Sequence, residues 1–327
     1  DFVDQGAKHA AIEVSSHALS QGRVDGVTFD SALFTNLTRD HLDYHRDMRE
    51  YFESKARLFL DCGPRNRIIN LDSEYGDQLA AKCGQDVVTV STHFDRVANG
   101  RPHVFVRSIV ATDQGSDIRF VSSWGDGRFM LQLPGALNVA NAVLVPAVPL
   151  TQGGPLTTAC DVMSQVSAPP GRMQRVAMDG PAVFVDYAHT PAALEVALRA
   201  LRAHCHGRLW VVFGCGGDRD AGKRPQMGKA AEHLADQVVI TDDNPRSEDT
   251  DAIVDDIVAG LSHPERITII EDRAAAIAWT IERAADTDAI LVAGKGHEDY
   301  QEILGERVPF SDYAVALKAL DVKEGAR

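Results

Sequence analysis

The sequence predicts an α/β protein in two parts, the second built on a mostly parallel sheet, and three observations carry that expectation. Short apolar, β-rich runs recur along the 327 residues, separated by segments with helical spacing. Ser167-Ala-Pro-Pro-Gly171 interrupts this pattern with residues that end a helix and start a new unit. Beyond it strands and helices alternate in regular order, the sequence form of a doubly wound sheet. Two domains are expected, 1–168 and 169–327, each large enough to bury its own core.

In chain order, the first half predicts strands at 9–16, 31–37, 67–71 and 87–92. Residues 48–61 place Tyr51, Phe52, Leu58 and Phe59 at helical spacing. Short alternating segments over 103–133, broken at Asp113–Gly115 and Gly125–Gly127, read as a meander or a pair of hairpins. A helix follows at 138–150, with Pro146 and Pro149 set to kink or shorten it. The second half predicts strands at 182–187, 208–214, 237–242, 267–271 and 289–293, with amphipathic helices such as 191–203 and 272–285 between them. The chain opens with Asp1 inside a segment that reads as helical, so further sequence is expected to precede it.

Apolar residues make up 44% and charged residues 24%, ordinary for a soluble globular protein. Acidic residues exceed basic ones by 47 − 33 = 14, which argues against a nucleic-acid partner. Any anionic ligand must then be met by local Arg and Lys clusters. The five cysteines form no CxxC pair and no zinc spacing, which suits a reducing cytoplasm. No apolar run reaches the ~18 residues of a membrane span, so no membrane insertion is expected.

The motifs cluster at predicted strand ends, where parallel sheets bind ligands. Gly217-x4-Gly222-Lys223 has the spacing of a phosphate-binding loop, but Arg224 stands where Ser or Thr should hold Mg²⁺. That leaves a donor-rich loop in which Arg219 or Lys223 grips a carboxylate or phosphate, or else a solvated basic turn. Asp242-Asp243-Asn244-Pro245-Arg246 and Gly294-Lys295-Gly296-His297-Glu298 each follow a strand, and each alone reads as a turn. Two such ends in one sheet point to one crevice. Asp186-Tyr187-Ala188-His189-Thr190-Pro191 ends a strand and opens a helix; Thr190 and Pro191 are explained as N-cap and first helical residue, Asp186 and His189 are not. In the first half, Glu13 and the Asp40, His41, Asp43, His45 group close neighbouring strands and carry donors suited to a shared metal ion.

Six segments together, EVSSHALSQGRV, FTNLTRDHLDYH, DYAHTPAAL, the loop 214–225, DDNPR and AGKGHEDYQ, resemble the Mur ligase family, its diaminopimelate-adding branch most of all. They span residues 13 to 301. The resemblance implies a central ATPase domain without its start, then a Rossmann-like C-terminal domain. The UDP-binding first domain and the GKT-type phosphate loop would lie outside the chain, which by itself should be inactive. The implied reaction is ATP-dependent ligation of meso-diaminopimelate to a UDP-linked muramoyl dipeptide through an acyl phosphate, by a cytoplasmic monomer in peptidoglycan precursor synthesis.

By the same resemblance Glu13, His41 and a carbamylated Lys55 would hold Mg²⁺, with Lys55 also the catalytic residue. Ser15, Gln21 and Arg23 would contact the UDP-muramoyl dipeptide, and Asn138, Arg172 and Asp186 the ATP. Arg219, Asp243, Asn244, Pro245, Arg246, Gly294 and Glu298 would form the diaminopimelate pocket. Pro146 and Pro149 depart from the family's usual Ala and Leu, near Asn138. A lysine-adding ligase would share most motifs but should lack the Arg of DNPR. A folylpolyglutamate synthase shares the architecture but not the 242–246 and 294–298 sequences, and a non-catalytic binding module would need no phosphate loop.

Overall fold

The computed structural model describes residues 3–38, 41–42, 44–96, 99–112, 115–177 and 180–325. Its contacts divide the chain into two compact units. One holds residues 1–108, 119–128 and 140–161, the other 109–118, 129–139 and 162–327.

The first sheet has the order β1-β2-β3-β4-β5-β6. Its strands are β1 (Ser31–Phe34), β2 (Asn66–Asn70), β3 (Val88–Ser91), β4 (His103–Thr112), β5 (Gly115–Ser122) and β6 (Gly125–Leu131). β1 through β4 pair in parallel. Helix α1 (Ser16–Ser20) precedes β1, and α2 (Met48–Leu60) and α3 (Glu74–Cys83) connect β1 to β2 and β2 to β3. α2 starts where the Asp47 side chain accepts the Glu50 amide at 2.8 Å, satisfying one of the helix's orphan donors. It buries Tyr51, Phe52, Ala56 and Phe59 against Phe34, Ile69 and Leu79.

Two expectations for this half fail. Residues 3–6 form a turn rather than a helix, and residues 7–15 form no strand. Apolar, β-prone residues are not enough there: residues 7–13 are exposed and pair with no strand of the sheet, which begins at β1. The expected helix at 138–150 becomes α4 (Ala136–Leu144) and α5 (Ala147–Thr151), because Pro146 cannot donate within a continuous helix and instead stands just before the second one. α6 (Leu156–Met163) follows.

The second sheet has the order β11-β10-β9-β12-β8-β7. It contains β7 (Gln174–Arg175), β8 (Ala182–Asp186), β9 (Leu209–Phe213), β10 (Gln237–Ile240), β11 (Thr268–Ile269) and β12 (Ala289–Ala293). All of its pairs are parallel except β7 with β8. β9 and β12 are buried along their whole length, which is why LWVVF and AILVA are unbroken apolar runs. Their side chains alternate between two cores: Leu209, Val211 and Phe213 face one, Trp210 and Val212 the other. Helices α7 (Pro191–Arg202), α8 (Arg224–Leu234), α9 (Thr250–Val258), α10 (Arg273–Arg283) and α11 (Asp312–Gly325) complete the unit, with a hairpin of β13 (Tyr300–Ile303) and β14 (Glu306–Pro309). β10 and β11 are shorter than their predicted ranges. Past β10 the chain still leans on its neighbour, Thr241 N donating to Phe213 O.

Candidate functional site

In the second unit, the ends of β8, β9, β10 and β12 converge. Gly294 N donates to Asp186 O, joining the ends of β12 and β8. A Cβ on Gly214 would lie 2.1 Å from Thr241 O, so only glycine lets β9 end this close to β10. Gly294 has φ +119°, and a Cβ there would lie 2.4 Å from an Asp243 carboxylate oxygen. The loops after β10 and β12 therefore touch.

Asn244 and Glu298, 54 positions apart, are bonded: Asn244 Nδ2 donates to Glu298 Oε2 at 2.9 Å. Lys295, fully buried, donates from Nζ to Asn244 Oδ1 at 2.9 Å and to Glu298 Oε2 at 3.2 Å. The Glu302 amide also donates to Asn244 Oδ1. Asp243 is 8% exposed, and burial raises its carboxyl pKa against the opposing pull of Arg273 and Lys295. Behind it, Arg273 and Asp312 form a fully buried ion pair at 2.7 Å, and Arg273 also donates to the carbonyls of Asp242 and Ala293.

Arg246 adopts φ 54°, unfavourable for a residue with a Cβ. The hairpin holds it there: Arg246 N donates to Glu302 O, Leu304 N donates to Arg246 O, and Nε lies 3.3 Å from Glu302 Oε2. Nη1 donates to Gly217 O at 2.7 Å, tying Arg246 to the loop after β9. Pro245 packs its carbonyl so close to Gly217 that no Cβ would fit there.

That loop resolves the two readings of 214–225. Arg224 begins α8 and is 2% exposed, paired with Glu248 at 2.8 Å and Asp256 at 2.9 Å. Lys223 Nζ donates to His189 O. Arg219 stays exposed, and among the described residues its side chain has no hydrogen bond or ion pair. The loop is neither a phosphate-loop match nor a solvated basic turn throughout.

Arg172 and Asp186 come together. The guanidinium lies 5.0 Å from the centre of the Tyr187 ring, whose other neighbours include His189 and His297. Asp186 accepts the Met173 amide at 2.7 Å, and burial raises its pKa. Asn138 donates instead to Pro134 O, and among the described residues no hydrogen bond or ring contact links it to Arg172 or Asp186.

In the first unit, Lys55 is half-buried on α2. Desolvation lowers its pKa, opposed by the Glu13 charge, and its Nζ donates to Val14 O at 3.3 Å. His41 packs edge-on to Tyr51, one turn before Lys55, and also against His17. His45 is buried, bonded to Ser16 Oγ at 2.8 Å and stacked on Tyr51. Ser15 caps α1, Gln21 donates to the Tyr44 hydroxyl, and Arg23 is exposed, its amide donating to Ala18 O while its side chain bonds none of the described residues. Asp40 and Asp43 lie outside the described residues. Among the described residues no three His, Cys, Asp or Glu side chains converge at metal-ligand spacing. A cavity of ≈ 220 Å³ lined by Asp126, Arg128, Leu156 and Cys160 contains none of the expected site residues.

Sequence reasoning did not single out Lys295, Glu302, Glu248 or the Arg273–Asp312 pair. The signal for Lys295 was present, a lysine between two glycines at the end of an all-apolar strand.

A parallel sheet whose strand-end loops carry paired acidic and basic groups defines an α/β domain with a charged crevice at its strand ends. The chain belongs to the Mur ligase family: the Mur ligase middle domain matches residues 1–148, and the Mur ligase glutamate ligase domain matches residues 171–296. It is 47% identical over 320 residues to UDP-N-acetylmuramoyl-L-alanyl-D-glutamate–2,6-diaminopimelate ligase of Haemophilus influenzae strain PittEE, covering 98% of this chain and 65% of that protein. A solved structure of a ligase of that name matches with TM-score 0.78 and 37% identity over 98% of this chain and 66% of its own. Folylpolyglutamate synthase of Mycobacterium tuberculosis shares the fold, with TM-score 0.59 and 22% identity over 82% of this chain and 62% of its own. The chain thus spans about two thirds of the length of the relatives it matches. Among the described residues no helix is long and apolar enough to cross a membrane.

Proposed function

We propose that the protein carrying this chain ligates meso-2,6-diaminopimelate to UDP-N-acetylmuramoyl-L-alanyl-D-glutamate, using ATP, as a cytoplasmic monomer in peptidoglycan precursor synthesis. The observation that carries this reading is the pairing of the 242–246 and 294–298 loops. Glu298 and Asp243 offer anions to an ammonium group, while Arg246 and the exposed Arg219 offer guanidinium groups to carboxylates. The 47% identity to a ligase of that name supports it.

Residues 1–168 would form the central ATPase domain and 169–327 the C-terminal ligase domain. Arg172 and Asp186 would bind the nucleotide, with Asn138; Ser15, Gln21 and Arg23 would meet the UDP-dipeptide. Glu13, His41 and Lys55 would hold Mg²⁺, which when bound draws charge from transferring phosphoryl oxygens. Lys55 fits that role only as a carbamate. Its burial favours the neutral amine that reacts with CO₂, and the product is an anion suited to a hard cation.

In the reaction, the D-Glu carboxylate takes the γ-phosphoryl group and ADP leaves. The diaminopimelate amine then attacks the acyl carbon, and the tetrahedral intermediate expels phosphate and gives up a proton. Asp243 and Glu298 would hold the remote end of the amino acid so that its reacting amine faces the acyl phosphate.

The test is phosphate release by the complete protein, meaning this chain with the remaining length its relatives carry. Release should require ATP, the UDP-dipeptide and diaminopimelate together, lysine should not substitute, and the chain alone should show no turnover. Equal rates with lysine would favour the lysine-adding alternative, and release without any amino acid would sink the proposal.

A further inference from the structure

Lys295 is a fully buried cation bonded directly to two side chains of the candidate amino-acid pocket. Exposure of 0% keeps it from touching a ligand, so its influence must pass through its partners. Those partners are specific. Nζ donates to Asn244 Oδ1 and to Glu298 Oε2, and it lies 5.6 Å from the centre of the Tyr300 ring.

An asparagine side chain can rotate by half a turn and exchange its donor and acceptor. Here Oδ1 accepts from two sides, from Lys295 Nζ and from Glu302 N. With the acceptor fixed there, Nδ2 must face Glu298, and it donates to Oε2. Glu298 Oε2 thus receives two donors, while among the described residues none donates to Oε1. The carboxylate is oriented through one oxygen, and the other is available to a ligand ammonium.

We propose that Lys295 is a positioning residue for amino-acid recognition: it locks the Asn244 amide and the Glu298 carboxylate in the one arrangement that presents Glu298 Oε1 to the amino-acid substrate. This rests on the functional reading above. Its role differs from that of Arg246, which would supply charge to the substrate directly. Lys295 supplies orientation, and its own charge is absorbed by Glu298. A hydrophobic residue of similar length would leave Asn244 Oδ1 held by the Glu302 amide alone and Glu298 Oε2 by Asn244 alone, so both side chains gain freedom to move.

The experiment uses the complete protein, assayed by phosphate release, with Lys295→Met, Glu298→Gln and the double variant. Lys295→Met should raise the KM for diaminopimelate roughly tenfold or more, since hydrogen bonds to charged groups carry selectivity of that order. The KM values for ATP and the UDP-dipeptide, and kcat at saturating diaminopimelate, should stay within about twofold. Because Lys295 acts through Glu298, adding Lys295→Met to Glu298→Gln should cost less than about twofold more. That comparison also holds if Lys295→Met alone fails to fold, because the double variant leaves no unpaired buried carboxylate at this position. An unchanged KM for diaminopimelate in Lys295→Met overturns the proposal. So does an equal loss across all three substrates, or a full tenfold loss added on top of Glu298→Gln. A wild-type protein without diaminopimelate-dependent release would instead defeat the functional reading itself.

Discussion

At the strand ends of the second unit, Asn244, Lys295 and Glu298 hold one another through bonds of 2.9, 2.9 and 3.2 Å. In the first unit Glu13 and Arg23 stand exposed, and Ser15 is occupied in capping a short helix. The difference follows from what lies behind each set. The second-unit loops spring from β10 and β12, which are buried and paired in parallel on both sides. The first-unit residues 7–15 belong to no strand. Side chains on strand ends are preorganised by the sheet, whereas side chains on an unpaired segment need further partners to fix them. Only Lys55 and the imidazole groups beside Tyr51 rest on a regular element, α2 and its packing face.

The sharpest test of that contrast is Lys55. If its neutral amine becomes a carbamate, Lys55→Ala should remove activity of the complete protein to background, with partial recovery on adding small carboxylic acids. Near-normal activity without additives would show that the first unit contributes no such group. Stability should report the opposite emphasis. Arg273→Ala leaves Asp312 buried without its partner, which costs about 3–5 kcal/mol. Thermal unfolding followed by tryptophan fluorescence should then shift down by about 10 °C. A shift under about 2 °C would mean that the buried pair does not hold the second unit's loops.

A smaller effect is expected from Arg246→Ala. Arg246 would meet the carboxylate by which diaminopimelate differs from lysine, through a charge-assisted bond of about 1.5–3 kcal/mol. The KM for diaminopimelate should rise about 10- to 100-fold, with the KM for ATP little changed. Since the same guanidinium bonds Gly217 O and Glu302, a control is needed, and Glu302→Gln supplies it. If both variants raise KM equally, the hairpin contact rather than the ligand contact is what matters.

How far the molecule could be read from its residues follows the same division. β9 and β12 were legible because burial on both faces writes an unbroken apolar run. The loops after β10 and β12 were legible as a candidate site because parallel sheets place ligands at strand ends. That these two loops share one crevice was legible too, but the bond between residues 244 and 298 was not, since it depends on the strand order β10-β9-β12 and the glycines that let the ends approach. Arg224 looked like one more basic loop residue, and its burial depends on Glu248 and Asp256 arriving from beyond β10. The strand expected at 9–16 failed because strand propensity needs a ladder partner, which no local pattern reveals.

The smallest expected effect concerns pH. Asp242 follows β10, and burial, helped by the nearby charge of Glu271, raises its carboxyl pKa to about 6. In the unfolded chain an aspartate titrates near ~3.9. Between these values the folded protein binds more protons than the unfolded chain, so stability falls as pH rises through that window. The contribution is fully present below about pH 4 and lost above about pH 6. Asp242→Asn removes the ionised form, so it should raise the melting temperature at pH 8 and leave it unchanged near pH 4. The group is only half-buried, so solvent screening limits the gain to about 1 kcal/mol or less. A neighbouring cationic ligand should shrink the gap by stabilising the carboxylate. Melting curves of the two proteins from pH 4 to pH 8, with and without diaminopimelate, measure both. A variant less stable than wild type at pH 8 would mean that the ionised Asp242 is held by favourable contacts, and the second unit's loop would then be tuned for charge rather than strained by it.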